Sequence, residues 1–136
     1  MTTPASLHTQ VLTLLHATTV TAYDGDVPDR PPADQSGRVY PYAVLWPGGG
    51  GNPADPALAR HHGALTWEAQ VTVAAGTPTW CIQAVDVVRA ALRGVWLTTG
   101  ASPLLDETPA SQTLLRSEDT QPPRWYLPLR FVCGIA

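Results

Sequence analysis

A change of period at Gly76 does most to limit what this chain can fold into. Before it, Leu65, Trp67, Ala69, Val71 and Val73 alternate with Thr66, Glu68, Gln70 and Thr72, the pattern of a strand with one buried face. After it, Thr77 is a good N-cap, and Pro78 suits the first helical position, where a missing N–H does no harm. The spacing predicts a helix whose inward stripe is Cys81, Ile82, Val85, Val88 and Leu92, with Gln83, Asp86, Arg89 and Arg93 mostly outside it. Gly94 stands where a helix wants a left-handed C-terminal residue. A strand and a helix that each own one apolar side bury those sides against each other, so the core of the domain is set here. Nothing in the stretch is catalytic chemistry, which turns attention to surfaces and loops.

The 136 residues fit a single domain over 1–136, with the loops 25–38 and 47–64 expected to be mobile or to form interfaces. Charged residues are 14% of the chain, against about 25% in ordinary soluble proteins, so neutral side chains cover much of the surface and leave area for a partner. Eleven acidic residues outweigh eight basic ones, all of them arginine, and no basic stripe of the kind a phosphate backbone needs is present. Specific nucleic-acid binding is not expected. No run approaches the ~20 apolar residues of a membrane span, and the first residues lack a basic segment followed by an apolar run. The expectation is a protein made and kept in the cytoplasm, with no membrane partner. Cys81 and Cys133 both point to the core by pattern, and in a reducing compartment they read as buried thiols rather than a disulfide.

Along the chain, Thr3-Pro4 repeats the cap-and-proline start, and Leu7, Val11, Leu14 and Leu15 mark one face of a helix ending near His16. His8 and His16 read as solvent-facing or rim residues. A short strand over 20–23 stops at the turn pair Asp24-Gly25, and 26–37, with three prolines and no periodicity, is a loop. Asp24, Asp26 and Asp29 suit turn chemistry better than a cation site, because the further oxygen ligands and closing Glu of a calcium loop are missing. The strand expected over 39–46 puts Tyr40, Tyr42, Val44 and Trp46 on one face and Val39, Pro41, Ala43 and Leu45 on the other. Both faces are largely apolar, so it is either central and covered twice, or covered once by its own domain and once by a neighbouring subunit. Pro41 places that end at an edge or bulge.

The segment 47–64 holds four consecutive glycines, two prolines soon after them, a short helical possibility over 57–60, and the pair His61-His62. A phosphate-cradling loop needs a Gly-Lys-Ser or Gly-Lys-Thr ending and finds Gly51-Asn52-Pro53 instead, while two adjacent histidines make a poor chelate. The better reading is a connection that orders against a partner. Further strands are expected over 95–97 and 113–115, then a polar turn over 117–123. A final strand over 124–135 turns Trp125, Leu127, Leu129, Phe131, Cys133 and Ile135 one way and Arg124, Tyr126 and Arg130 the other. Pro128 marks an edge, a bulge or a change of neighbours midway. The acidic pairs Asp106-Glu107 and Glu118-Asp119 read as solvated, and the serines lack a nucleophile elbow or a lysine partner, so no enzyme, cofactor or metal is expected.

The chain resembles the tail terminator family of long-tailed bacteriophages, particularly those of actinobacteria. The stretches that carry the resemblance are Thr21-Ala22-Tyr23-Asp24-Gly25-Asp26-Val27-Pro28 and Tyr42-Ala43-Val44-Leu45-Trp46-Pro47-Gly48-Gly49-Gly50. Trp67-Glu68-Ala69-Gln70-Val71-Thr72-Val73, the helix ending Val87-Val88-Arg89-Ala90-Ala91-Leu92, and residues 119–126 with Gln121-Pro122-Pro123 complete it. The resemblance implies an α+β subunit, two main helices on a mostly antiparallel sheet. It implies that copies form a hexameric ring on the last ring of the tail tube, within the virion tail and assembled in the host cytoplasm. The partners implied are the chain itself, the tail tube protein and the head-tail connector protein, with DNA passing through the ring without specific binding. Another neck or tail protein, such as a head-tail connector or tube subunit, and a small cytoplasmic α+β adaptor domain are the alternatives. The candidate interface residues are Tyr40, Tyr42, Trp46, Gly48, Gly49, Gly50, Gly51, Asn52, His61 and His62.

Overall fold

The structure, a computed structural model, describes residues 3–49, 65–97, 102–109, 112–120 and 122–135. Its elements run α1 (Pro4–His16), β1 (Thr21–Asp24), β2 (Tyr42–Trp46), β3 (Leu65–Ala75), α2 (Pro78–Leu92), β4 (Leu105–Asp106), β5 (Leu115–Ser117) and β6 (Arg124–Ile135). The fold is α+β, with two helices on one face of a mostly antiparallel sheet in the order β1-β2-β3-β6-β4, and β5 also paired to β6. Among the described strands, only β1 and β2 run parallel. The long β3–β6 ladder, from Leu65 opposite Ile135 to Ala75 opposite Trp125, is the spine of the molecule.

Both helices start as their capping chemistry dictates. Thr3 and Ser6 exchange a reciprocal pair of side-chain to backbone hydrogen bonds ahead of α1, and Thr77 accepts from the Trp80 N–H ahead of α2. Helix α1 buries Leu7, Val11 and Leu15, and α2 buries Cys81, Ala84, Val85, Val88 and Leu92. The stripe differs from the expected one at a single place: Ile82 is 52% exposed and Ala84 lies inward, because α2 packs against α1 as well as against the sheet. Gly94 follows α2 at φ +77, a conformation that costs a side chain, and its N–H bonds the Leu104 carbonyl.

Beneath the helices, Ala43 and Leu45 of β2, Trp67, Ala69, Val71 and Val73 of β3, and Leu127, Leu129, Phe131 and Cys133 of β6 form the main core. Cys81 lies 3.7 Å from the Val73 carbonyl, whereas Cys133 stands opposite Trp67. The two thiols are thus about 20 Å apart along β3 at ~3.3 Å per residue, too far for a disulfide. Burial pushes the Cys81 thiol up to about 11, and raises that of Cys133.

The opposite face of β2 is covered by the chain itself, the first of the two alternatives that its apolar faces allowed. Tyr42 and Val44 are buried in a second cluster with Val39 and Ala74, and Tyr23, Val27 and Tyr126 of the same chain pack over it. The 25–38 loop supplies Val27, pairs Ala33 with Val39, and bonds the Tyr40 N–H to the Pro32 carbonyl, so it is part of the fold. Gly76 is required at the same place. A Cβ there would fall on the Val39 nitrogen and lie 2.9 Å from the Arg38 Cα, and the Gly76 N–H bonds the Val39 carbonyl.

Short strands depart most from expectation. Strand β1 starts one residue later than expected, and β2 begins only after Pro41, which ends the ladder as a residue without an N–H should. Residues 95–97 form no strand. The short strand on that side is β4, reached through the hydrogen bond from Leu104 to the Val95 carbonyl, and the strand expected over 113–115 is β5 two residues on. Pro128 sits where β6 changes neighbours, between β5 opposite 124–126 and β4 opposite 131–132. Arg130 and Gly134 turn their N–H and C=O groups to the β4 side, bonding Thr108, Glu107 and Ser102. Pro128 shares their parity, so its bare nitrogen faces the interval and costs no bond to β3.

Candidate interaction surface

Of the expected interface residues, Tyr40 and Trp46 are exposed at the two ends of β2, while Tyr42 is buried and forms no surface. The Tyr40 ring stacks on Trp80 at 5.9 Å, and the Arg38 guanidinium lies 5.2 Å from the centroid of the same indole. The Trp46 indole donates to the Thr72 hydroxyl at 2.9 Å and keeps its outer side free. Gly48 and Gly49 are exposed, and the Gly48 carbonyl accepts from the Trp67 indole at 3.3 Å. Gly50, Gly51, Asn52, His61 and His62 lie outside the described residues.

Among the described residues, the other exposed large apolar side chains are Ile82, Trp96, Leu105 and Leu115; Ile82 and Leu105 line clefts beside α2, and Leu115 pairs on the outer side of β6. Sequence reasoning missed them, although Ile82 and Leu105 each stand beside a buried neighbour that satisfies the pattern on its own. An open cleft of about 460 Å³ separates α2 from β5 and β6, with Ile82, Val85, Leu114, Trp125 and Leu127 on its walls. It meets at Arg89 a second cleft, which Leu105, Arg93 and Thr108 line.

Charge is distributed unevenly over these flanks. Asp106, expected to be solvated, has a side chain only 8% exposed and ties β4 to α2 and its C-cap, accepting from Arg89 at 3.1 Å and Arg93 at 2.8 Å. Burial opposes its ionisation, but hydrogen bonds from Arg93 and Thr108 and the charge of Arg89 outweigh that and hold the carboxyl below its ordinary range. Glu107 is partly exposed and pairs with Arg130 at 3.2 Å, and Arg130 also reaches Glu68 at 2.8 Å across the open part of the sheet. For Glu68, too, burial is outweighed, here by hydrogen bonds from Arg130 and Gln70, and the carboxyl titrates low. On the β1 side, Asp24 accepts from His8 Nε2 at 2.6 Å, which places His8 at a rim, and Asp26 accepts from the Val27 N–H. Their turn geometry accounts for both.

Arg124 shows what the pattern could not. It faces away from the helices as expected, yet it is 7% exposed, donating to the Tyr42 hydroxyl at 2.8 Å and lying 5.8 Å from the centroid of that ring. Among the described residues, no group of three or more His, Cys, Asp or Glu side chains could hold a metal ion, and no helix is long and apolar enough to cross a membrane. The arrangement leaves exposed apolar side chains at separate points on both sides of the β3–β6 spine. Neither a family model nor a curated protein matches the chain.

Proposed function

We propose that the protein is a structural subunit whose copies join into a closed ring, and that this ring caps a phage tail tube, ends its polymerisation and offers the head-tail joining surface. One observation carries the reading. Among the described residues, exposed large apolar side chains stand on both sides of the β3–β6 ladder, Tyr40 and Trp46 on the β2 side and Ile82, Leu105 and Leu115 on the side of β4 and β5. Unlike apolar residues on the two sides suit head-to-tail association, which closes into a ring when the rotation per copy permits. The stretches that resemble the tail terminators support the tail assignment. They fall on β1 and its turn, β2, β3, α2 and the entry to β6. The ring carries no reactive chemistry, and its activity is assembly.

Size-exclusion chromatography with light scattering, followed by negative-stain imaging, tests the reading. A closed six-fold ring is the expected outcome. A chain that stays monomeric at high concentration overturns it in favour of an adaptor, and open-ended tubes overturn it in favour of a tube subunit.

A further inference from the structure

We propose that the open cleft between the 25–38 loop and the turn before β6 binds a single carboxylate, held by the buried guanidinium of Arg124. The site goes beyond the assembly reading and does not depend on it.

The cations without a counter-charge collect at one place. Arg38, Arg89, Arg93, Arg116 and Arg130 each pair with a carboxylate. Arg30 and Arg124 have no such partner among the described residues, and both line the same cleft of about 490 Å³. Val27, Pro28, Asp29, Asp119 and Thr120 form the rest of its walls. Arg30 is exposed there, whereas Arg124 keeps only 7% of its surface.

Taking a charge out of water is costly unless it is paired and hydrogen-bonded. Arg124 is provided for only in part. Its Nη1 donates to the Tyr42 hydroxyl at 2.8 Å and its Nε to the Pro122 carbonyl at 3.4 Å, both uncharged acceptors, with the Tyr42 ring centroid 5.8 Å away. Nη2 has no acceptor among the described residues. The Tyr42 hydroxyl, whose oxygen already accepts from Arg124, finds none there for its own hydrogen. Neighbouring donors of this kind, one of them charged, suit a planar acceptor with two oxygens and one negative charge, which is a carboxylate.

The aspartates decide against other anions. Asp29 and Asp119 are exposed and make no ion pair among the described residues, so with the two arginines they leave the cleft without net charge. Exposed charges are screened over about 10 Å, while the contact with Arg124 is sheltered from solvent. A monoanion gains that contact and meets no net field. A phosphate dianion brings a second charge against two carboxylates and gains nothing for it. Val27 and Pro28 offer an apolar wall to the carbon chain of the acid.

An NMR titration at constant ionic strength tests the site, at a pH where phosphate is a dianion. Butyrate is the probe, with butyramide, inorganic phosphate and N-acetyl-trialanine beside it. Butyrate is expected to shift the Arg124 Nε–H and Thr120 amide resonances saturably, and butyramide, its uncharged counterpart, to shift neither. Phosphate is expected to bind more weakly than butyrate, and Asp29→Asn with Asp119→Asn to narrow that gap. Arg30→Gln, at an exposed position, is expected to weaken butyrate binding about threefold. Tyr42→Phe with Arg124→Leu removes the guanidinium and strands no polar group, and is expected to abolish the response, with circular dichroism to show that it folds. Should that variant unfold, the comparison of butyrate with butyramide on the unaltered chain decides alone. Tighter binding of N-acetyl-trialanine than of butyrate assigns the carboxylate to the end of a partner chain, and the reverse order assigns it to a free acid; either supports the site. It is overturned if butyrate does not saturate, if butyramide shifts the same resonances equally, or if phosphate binds the unaltered chain as well as butyrate does.

Discussion

The two faces of the sheet are closed by different means. On the helix side, residues at regular spacing from five elements meet in one apolar core, with Trp67 and Phe131 its largest fully buried members. On the other side, Tyr23, Tyr42 and Tyr126 with Val27 and Arg124 cover one end of the sheet, while Glu68, Gln70 and Arg130 leave the rest open to water. The first face is held by area removed from water and the second by a few directed contacts, so they should fail differently when altered.

The largest effect belongs to the helix side. Phe131→Ala should lower unfolding stability by about 3–5 kcal/mol, seen as a shift of the urea midpoint, because it empties a fully buried site in the centre of β6. On the outer face, Tyr42→Phe should cost about 1–3 kcal/mol by removing the acceptor of a buried guanidinium. Tyr42→Phe combined with Arg124→Leu should recover most of that loss, since no polar group is then stranded. If the double variant is no better than the single one, the pair is not what closes that face.

Smallest is the dependence on pH. Asp106 and Glu68 titrate lower in the folded chain than their ordinary values of 3.8 and 4.5. Their contribution is fully present above those values and is lost as pH falls through the lowered folded ones. Thermal melts between about pH 5 and pH 2 should show this decline, and Asp106→Asn should make it shallower. A slope unchanged in that variant would show that the bridge from α2 to β4 contributes nothing to acid sensitivity.

What could be read in advance follows the same division. Helix starts at Thr3 and Thr77, the left-handed Gly94 and the full extent of β6 are local facts of capping, spacing and alternation. Strands β4 and β5 are too short to carry a period, and their positions are dictated by the β6 edge they pair with, which is why residues 95–97 misled. Alternation placed Tyr42 and Arg124 on the correct face but could not say that a loop from residues 25–38 would fold over them. For the candidate surface, Tyr40 and Trp46 were legible as apolar residues in excess of one face. The opposite flank was not, because exposure of Ile82 and Leu105 depends on how α2 and β4 are turned by their partners.

The ladder that joins residue 65 to residue 135 also sets a timetable. During synthesis the middle of the sheet cannot exist until residues 124–135 have left the ribosome, since β6 stands between β3 and the short strands beyond it. A nascent chain shorter than that lacks the partner of β3 and the strand on which β4 and β5 pair. Loss of the last ladder strand would therefore cost the sheet its centre rather than one edge.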